Sequence, residues 1–227
     1  MHARTQDLNR RRAHLQRLAQ LGLLGALTLG GLAACGRKSG NQAQALAAGA
    51  TVLALGDSLT FGSGAAPEQA WPAQLQQRSG WKLVNAGVPG ETTTQLAARL
   101  PGLLDEHAPA LVILCAGGND FLQQQSTALT QGQLQAMLAL LKNRQVPVLL
   151  VAVPQLSLMT AVTAKFKDHP LFEQVAGQAK VPLLANAWSE VLSQPALRAD
   201  QVHANAQGYA LFTDTLEARL RSLGFLR

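Results

Sequence analysis

The sequence predicts an α/β fold built on a parallel sheet with helices on both faces, and three observations carry that reading. Five short apolar runs recur along the chain, segments with helical spacing separate them, and the chemically distinctive residues fall just after the runs. The runs are Thr51–Leu55, Lys82–Asn85, Leu111–Cys115, Val148–Val153 and Val181–Leu184, each short and apolar enough for a strand buried on both faces. Ala70–Gln77, Thr93–Leu104, Gln131–Asn143, Phe172–Ala179 and Asn205–Leu223 place Leu, Ala and Val three and four apart, with Gln, Arg and Glu between them. Strand and helix alternating in this way imply right-handed crossovers and a parallel sheet. A length of 227 residues suits one such domain with a tail.

With 48% hydrophobic and 14% charged residues, the composition excludes a disordered or fibrous chain. The formal charge of +6 suggests a nucleic-acid partner only until it is divided along the chain. Residues 1–34 hold five Arg and one acid, so the rest carries 14 basic and 12 acidic groups. With no basic run and 4% aromatics, that part offers neither a phosphate-neutralising patch nor a stacking platform, and nucleic-acid binding is discarded.

The first residues read as an export address. A basic stretch with Arg4, Arg10, Arg11, Arg12 and Arg17 precedes the apolar run Leu21–Ala34, which falls short of the roughly 20 residues that a spanning helix needs. Leu32-Ala33-Ala34-Cys35 resembles the bacterial lipobox, in which cleavage leaves a lipid-bearing Cys at the mature N-terminus. An ordinary signal peptide cut at an Ala-x-Ala-like site is the alternative. The expected organisation is a lipoprotein signal peptide at 1–34, a lipidated tether at 35–50 and a folded domain at 51–227. The protein would then be held on the periplasmic side of the bacterial envelope, on the membrane, through Cys35. Lipidation leaves Cys115 as the remaining thiol, so the core rather than a disulfide must hold the fold.

In an open parallel sheet, ligands bind beyond the carboxyl ends of the strands. Gly56-Asp57-Ser58-Leu59 follows the first run, Asn85-Ala86-Gly87-Val88-Pro89-Gly90 the second, and Gly117-Gly118-Asn119-Asp120 the third. Asp200-Gln201-Val202-His203 precedes the last helix, and its spacing lets the carboxylate turn back to the imidazole of the same loop. A hydroxyl, a base, a carboxylate that orients the base, and N–H donors for an oxyanion are what acyl transfer requires.

At these residues the chain resembles the GDSL or SGNH hydrolases. The likeness runs from about Thr51 to Tyr209 and includes Gly56-Asp57-Ser58-Leu59, Ala70-Trp71-Pro72-Ala73, Val84-Asn85-Ala86, Gly90, Arg99-Leu100-Pro101, Gly117-Gly118-Asn119-Asp120, Asp200-x-x-His203, Asn205 and Gly208-Tyr209. The resemblance implies a three-layer α/β/α, flavodoxin-like fold with a five-stranded parallel sheet. It also implies a catalytic Ser58 nucleophile, His203 as base, Asp200 orienting it, and an oxyanion hole from the N–H groups of Ser58 and Gly90 with the Asn119 amide. Where the family usually has Pro after the catalytic His, this chain has Ala204. Short and medium acyl esters, thioesters and lysophospholipids are the substrates implied, with O-acetyl groups of envelope polysaccharide as the alternative hydrolytic target. A non-catalytic envelope binding lipoprotein would need only the fold.

Other readings remain structural. Ser58 taken alone could cap a helix, Gly90 could be a turn glycine and Asn119 a turn former, but their convergence favours the site. No G-x-S-x-G elbow occurs, which argues against an α/β-hydrolase proper. Asp168-His169-Pro170 reads as a surface loop, His107 as solvated and Cys115 as a buried small hydrophobe. No Cys, His and acid cluster has metal-ligand spacing, so no metal or cofactor is expected. The segments expected to wall the site are Phe121–Thr127 and Pro154–Phe166. Phe121 and Leu156 are their substrate-binding candidates.

Overall fold

Each strand pairs in parallel with its neighbours, and their order across the sheet is not their order in the chain. The computed structural model describes residues 44–155 and 165–227. Strands β1 (Thr51–Gly56), β2 (Lys82–Gly87), β3 (Leu111–Cys115), β4 (Val148–Val151) and β5 (Leu183–Leu184) line up as β2-β1-β3-β4-β5. This is the doubly wound, flavodoxin-like order. In register, Gly56 of β1 lies opposite both Gly87 of β2 and Cys115 of β3, so three of the expected loops open at one level of one edge. The chain reverses direction across the sheet between β1 and β3, and a ligand crevice belongs at that switch point.

The helices are α1 (Ser58–Phe61), α2 (Trp71–Ser79), α3 (Thr93–His107), α4 (Gly118–Leu122), α5 (Thr127–Asn143), α6 (Leu171–Ala179), α7 (Ala187–Leu192) and α8 (Ala206–Leu223). Helix α2 packs with α8, and α8 with α7; α3 packs with α5, and α5 with α6. These two groups form the outer layers. Between them Val52, Leu53, Ala54 and Leu55 of β1 and all five residues of β3 are fully buried, as central strands covered on both faces must be. Beneath α8 the rings of Trp188 and Phe212 stack 3.8 Å apart, and Trp71 and Tyr209 pack at their edges.

Boundaries depart from the sequence reading where local chemistry outweighs periodicity. Helix α5 begins four residues early because the Ser126 side chain caps it, accepting from the Leu129 N–H. Helices α1, α4 and α7 are four to six residues long, too short to display a period. The folded body also begins before Thr51. The Leu46 N–H donates to the Phe225 carbonyl at 2.9 Å, and Leu46 and Ala50 pack on the core, so the last residues of the expected tether belong to the domain. Cys35 and Leu156 lie outside the described residues.

Candidate active site

Gly56 ends β1 because nothing larger fits there: a Cβ would stand 2.2 Å from the Cys115 carbonyl oxygen. The chain then turns into α1, where the Asp57 carboxyl group caps the helix by accepting the Leu59 N–H at 3.0 Å. Ser58 is thus the first residue of a helix fixed at its start. The end of β2 holds the other end of that helix. Gly87 lets the two backbones touch, a Cβ there lying 2.2 Å from the Phe61 nitrogen, and the Asn85 amide donates to the Phe61 carbonyl at 3.2 Å.

The His203 imidazole arrives on a separate loop. An antiparallel bridge joins Arg198 and Ala204, with the Ala199 N–H donating to the His203 carbonyl at 3.0 Å and the Asn205 N–H to the Leu197 carbonyl at 2.9 Å. Within it, Asp200 Oδ1 accepts the N–H groups of Val202 and His203, each at 2.8 Å, which leaves Oδ2 for His203 Nδ1 at 2.7 Å. His203 Nε2 reaches Ser58 Oγ at 2.9 Å. A carboxylate only accepts, so Nδ1 carries the imidazole proton and Nε2 accepts from the Ser58 hydroxyl. Burial pushes the Asp200 carboxyl up, but hydrogen bonds from His203 and the Val202 amide outweigh it and hold the group below its ordinary value. The carboxylate therefore stays ionised. Buried Ala204 packs where the family usually has Pro, with its carbonyl oxygen 2.5 Å from where a Cβ of Gly64 would stand. Asn205 caps α8 by accepting from Gly208, and the Tyr209 hydroxyl donates to the Ser63 carbonyl at 2.9 Å, tying α8 to the chain after α1.

Gly90 and Asn119 face the same space. Gly90 sits at φ +81 with open room around it, so backbone conformation rather than crowding requires glycine there. Among the described residues no hydrogen bond engages the N–H of Ser58 or of Gly90. The Asn119 amide donates one proton to the Glu91 carbonyl at 2.9 Å and keeps a second. Ser58, Gly90, Asn119, Leu122 and His203 line a cavity of about 240 Å³. A larger groove of about 680 Å³ lies at the opposite edge, beside Pro147 and Pro182, away from every one of these groups.

Several sequence readings change here. Phe121 is not among the residues lining the cavity: its ring stacks on His169 at 4.4 Å and meets Phe172 edge-on, and its neighbour Leu122 lines the wall instead. Phe166, from the other expected wall, is buried against Leu192. Asp168 and His169 do more than a plain surface loop would, because Asp168 accepts from the Asn186 N–H and the Ser189 hydroxyl at the start of α7. His169 Nδ1 accepts the Leu171 N–H, and burial lowers its pKa. Cys115 is fully buried and burial pushes its thiol up, which suppresses the thiolate. Among the described residues no group of three or more His, Cys, Asp or Glu is placed to hold a metal ion.

Two residues beside the site were given no role from sequence. Glu91 and Arg99 form a two-pronged ion pair, with Nε to Oε1 at 2.7 Å and Nη2 to Oε2 at 2.5 Å. The Arg99-Leu100-Pro101 motif was a signal that something stood there, and a spacing of eight places Arg99 two turns into the helix that Glu91 precedes. Asp120, buried, takes the Thr93 N–H at 2.9 Å and the Thr93 hydroxyl at 2.5 Å, fastening α3 to the end of β3.

The chain is also similar to known proteins over most of its length. The chain is 32% identical over 182 residues to thioesterase 1/protease 1/lysophospholipase L1 of Escherichia coli (strain K12), which is 78% of this chain and 86% of that protein. To the esterase TesA of Pseudomonas aeruginosa it is 38% identical over 112 residues, covering 47% of this chain and 56% of that one. The solved structure of a TesA superposes with a TM-score of 0.67 at 28% identity, over 76% of this chain and 99% of that chain. AlinE4, an SGNH-hydrolase family esterase, does so with a TM-score of 0.59 at 29% identity, over 79% and 99%. The profile of the GDSL-like lipase/acylhydrolase family matches residues 54–211, and the chain belongs to that family of hydrolases acting on ester bonds.

Proposed function

We propose that this protein hydrolyses carboxylic esters and thioesters of short to medium acyl chains, or lysophospholipids, through a covalent acyl group on Ser58. The observation that carries the reading is the unbroken run from Asp200 Oδ2 through His203 to Ser58 Oγ, with contacts of 2.7 and 2.9 Å. As Ser58 Oγ bonds to the carbonyl carbon, its proton passes to His203 Nε2 and the imidazolium is stabilised by Asp200. The negative charge that develops on the carbonyl oxygen is received by the N–H groups of Ser58 and Gly90 and by the free amide proton of Asn119. His203 returns the proton to the departing alcohol or thiol, and water repeats the sequence to release the acid.

Apolar side chains near this edge support an acyl substrate. Leu122 in the cavity wall, Val88 beside Pro89 and Gly90, and Phe61 at the end of α1 are 41%, 43% and 52% exposed. The small cavity also suits a short acyl group, which keeps the polysaccharide O-acetyl reading as the competitor. An acyl-length series on chromogenic esters separates the two, because acetate preference with no gain at longer chains favours the sugar ester. A fluorophosphonate tests the nucleophile, with labelling and turnover both lost in Ser58→Ala. Labelling that persists in that variant would place the nucleophile elsewhere. The Leu32–Cys35 run supports a companion proposal, that lipid on Cys35 holds the protein on the periplasmic side of the envelope.

A further inference from the structure

Arg99 lies two turns into α3, and its side chain runs back toward the helix start, as helical side chains do. There it meets three partners. Besides the two-pronged pair with Glu91, Nη2 donates to the Ala86 carbonyl at 2.7 Å, and the Gly56 carbonyl lies 3.4 Å away. Those carbonyls stand at the carboxyl ends of β2 and β1, the second immediately before the turn that carries Ser58. The Glu91 side chain is 7% exposed and that of Arg99 26%, so the pair sits largely within the protein.

Glu91 has a second task. Its main-chain carbonyl accepts the Asn119 amide at 2.9 Å, and that bond fixes which way the remaining amide proton points. The same residue follows Gly90 directly, so its position also sets the plane of the Gly90 loop. One residue therefore connects two of the three proposed oxyanion donors, and Arg99 clamps that residue to both strand ends. Arg99 is not among the residues lining the cavity. Its role is to hold other groups in place. We infer that the Arg99–Glu91 pair is the positioning unit of the oxyanion pocket, setting the aim of Asn119 and Gly90 for the transition state without touching substrate.

The inference rests on the oxyanion reading above, and a double-mutant cycle tests the two separately. Asn119→Ala alone should lower kcat by about 10²–10³ with KM little changed, and if it does not, the oxyanion reading falls first. Arg99→Gln in the otherwise unchanged protein should lower kcat by about tenfold or more, with KM held within about twofold. Introduced into Asn119→Ala, the same change should cost about threefold or less, because one of the two groups it aims has already gone and only Gly90 is left to misplace. Equal costs in both backgrounds, or a loss expressed mainly in KM, would overturn the inference. Kinetics are corrected for the folded fraction by thermal unfolding. If Arg99→Gln fails to fold, Arg99→Lys keeps the charge and loses the fork, while Glu91→Gln keeps the main-chain carbonyl and loses the ion pair. Each should show the same non-additivity with Asn119→Ala, whereas additive behaviour in both rejects the assignment.

Discussion

Asp57 precedes Ser58 and is 2% exposed, with one oxygen accepting the Leu59 N–H. Burial, aided by the charge of Asp120, pushes its carboxyl up to about 7 against the Leu59 hydrogen bond and His203. The folded protein therefore holds a proton that the unfolded chain releases near pH 4. Between those limits the unfolded state binds fewer protons, so this group's contribution to stability falls as pH rises and levels off above about 7. The full excursion is on the order of 4 kcal/mol. Asp57→Asn keeps the capping oxygen and loses the titration. Urea unfolding of both proteins should show the variant gaining on the native chain between pH 4.5 and 8, and a constant difference over that interval would mean the carboxyl titrates normally. Asp57 thus fixes the start of the Ser58 helix by geometry, at a cost in stability that grows toward neutral pH.

At the scale of elements, the loop bearing Asp200 and His203 leans on the first turn of α8. A Cβ on Gly208 would meet the Leu197 carbonyl oxygen at 2.4 Å and the Ala204 Cβ at 2.9 Å, so Gly208→Ala must push helix and loop apart. The expected cost is about 1–3 kcal/mol, accompanied by loss of kcat/KM. Gly177, within α6, has open space around it, and Gly177→Ala should stabilise by about 0.5–1 kcal/mol without altering kinetics. Thermal unfolding and ester hydrolysis of the two variants give the comparison, and equal effects would mean that the loop does not depend on this contact. The strands were legible in the sequence because β1 and β3 are buried on both faces and must be apolar throughout. The site loops were legible because glycine and short polar residues collect where strands end. Three things were not. Helices α1, α4 and α7 are too short for a period to show, the Glu91–Arg99 pair joins residues whose closeness depends on how α3 starts, and Phe121 stacks on His169, a residue 48 positions later.

For the whole molecule, the N-terminal boundary matters most. Leu46 bonds to Phe225, Gly49 donates to the Gly80 carbonyl at 2.8 Å, and Ala50 packs on the core, so residues ahead of β1 fasten the chain to the ends of α2 and α8. A protein beginning at Asn41 should unfold about 2–4 °C above one beginning at Ala48, equivalent to about 1 kcal/mol for the Leu46 contacts. Their ester hydrolysis should be the same at 25 °C, because these contacts lie at the opposite edge from Ser58. Equal melting temperatures would return residues 46–50 to the tether.

The Asp200 and His203 side chains share one short loop, while Ser58 belongs to a different stretch of chain 145 residues away from the imidazole. Carboxylate and imidazole therefore travel as one piece. If the loop swings outward, the pair leaves intact, still oriented by the amides of Val202 and His203, and the Ser58 contact alone is broken. Assembly of the run from Asp200 to Ser58 then reduces to closing a single joint, and a shift of about an ångström there breaks the run without dismantling either half.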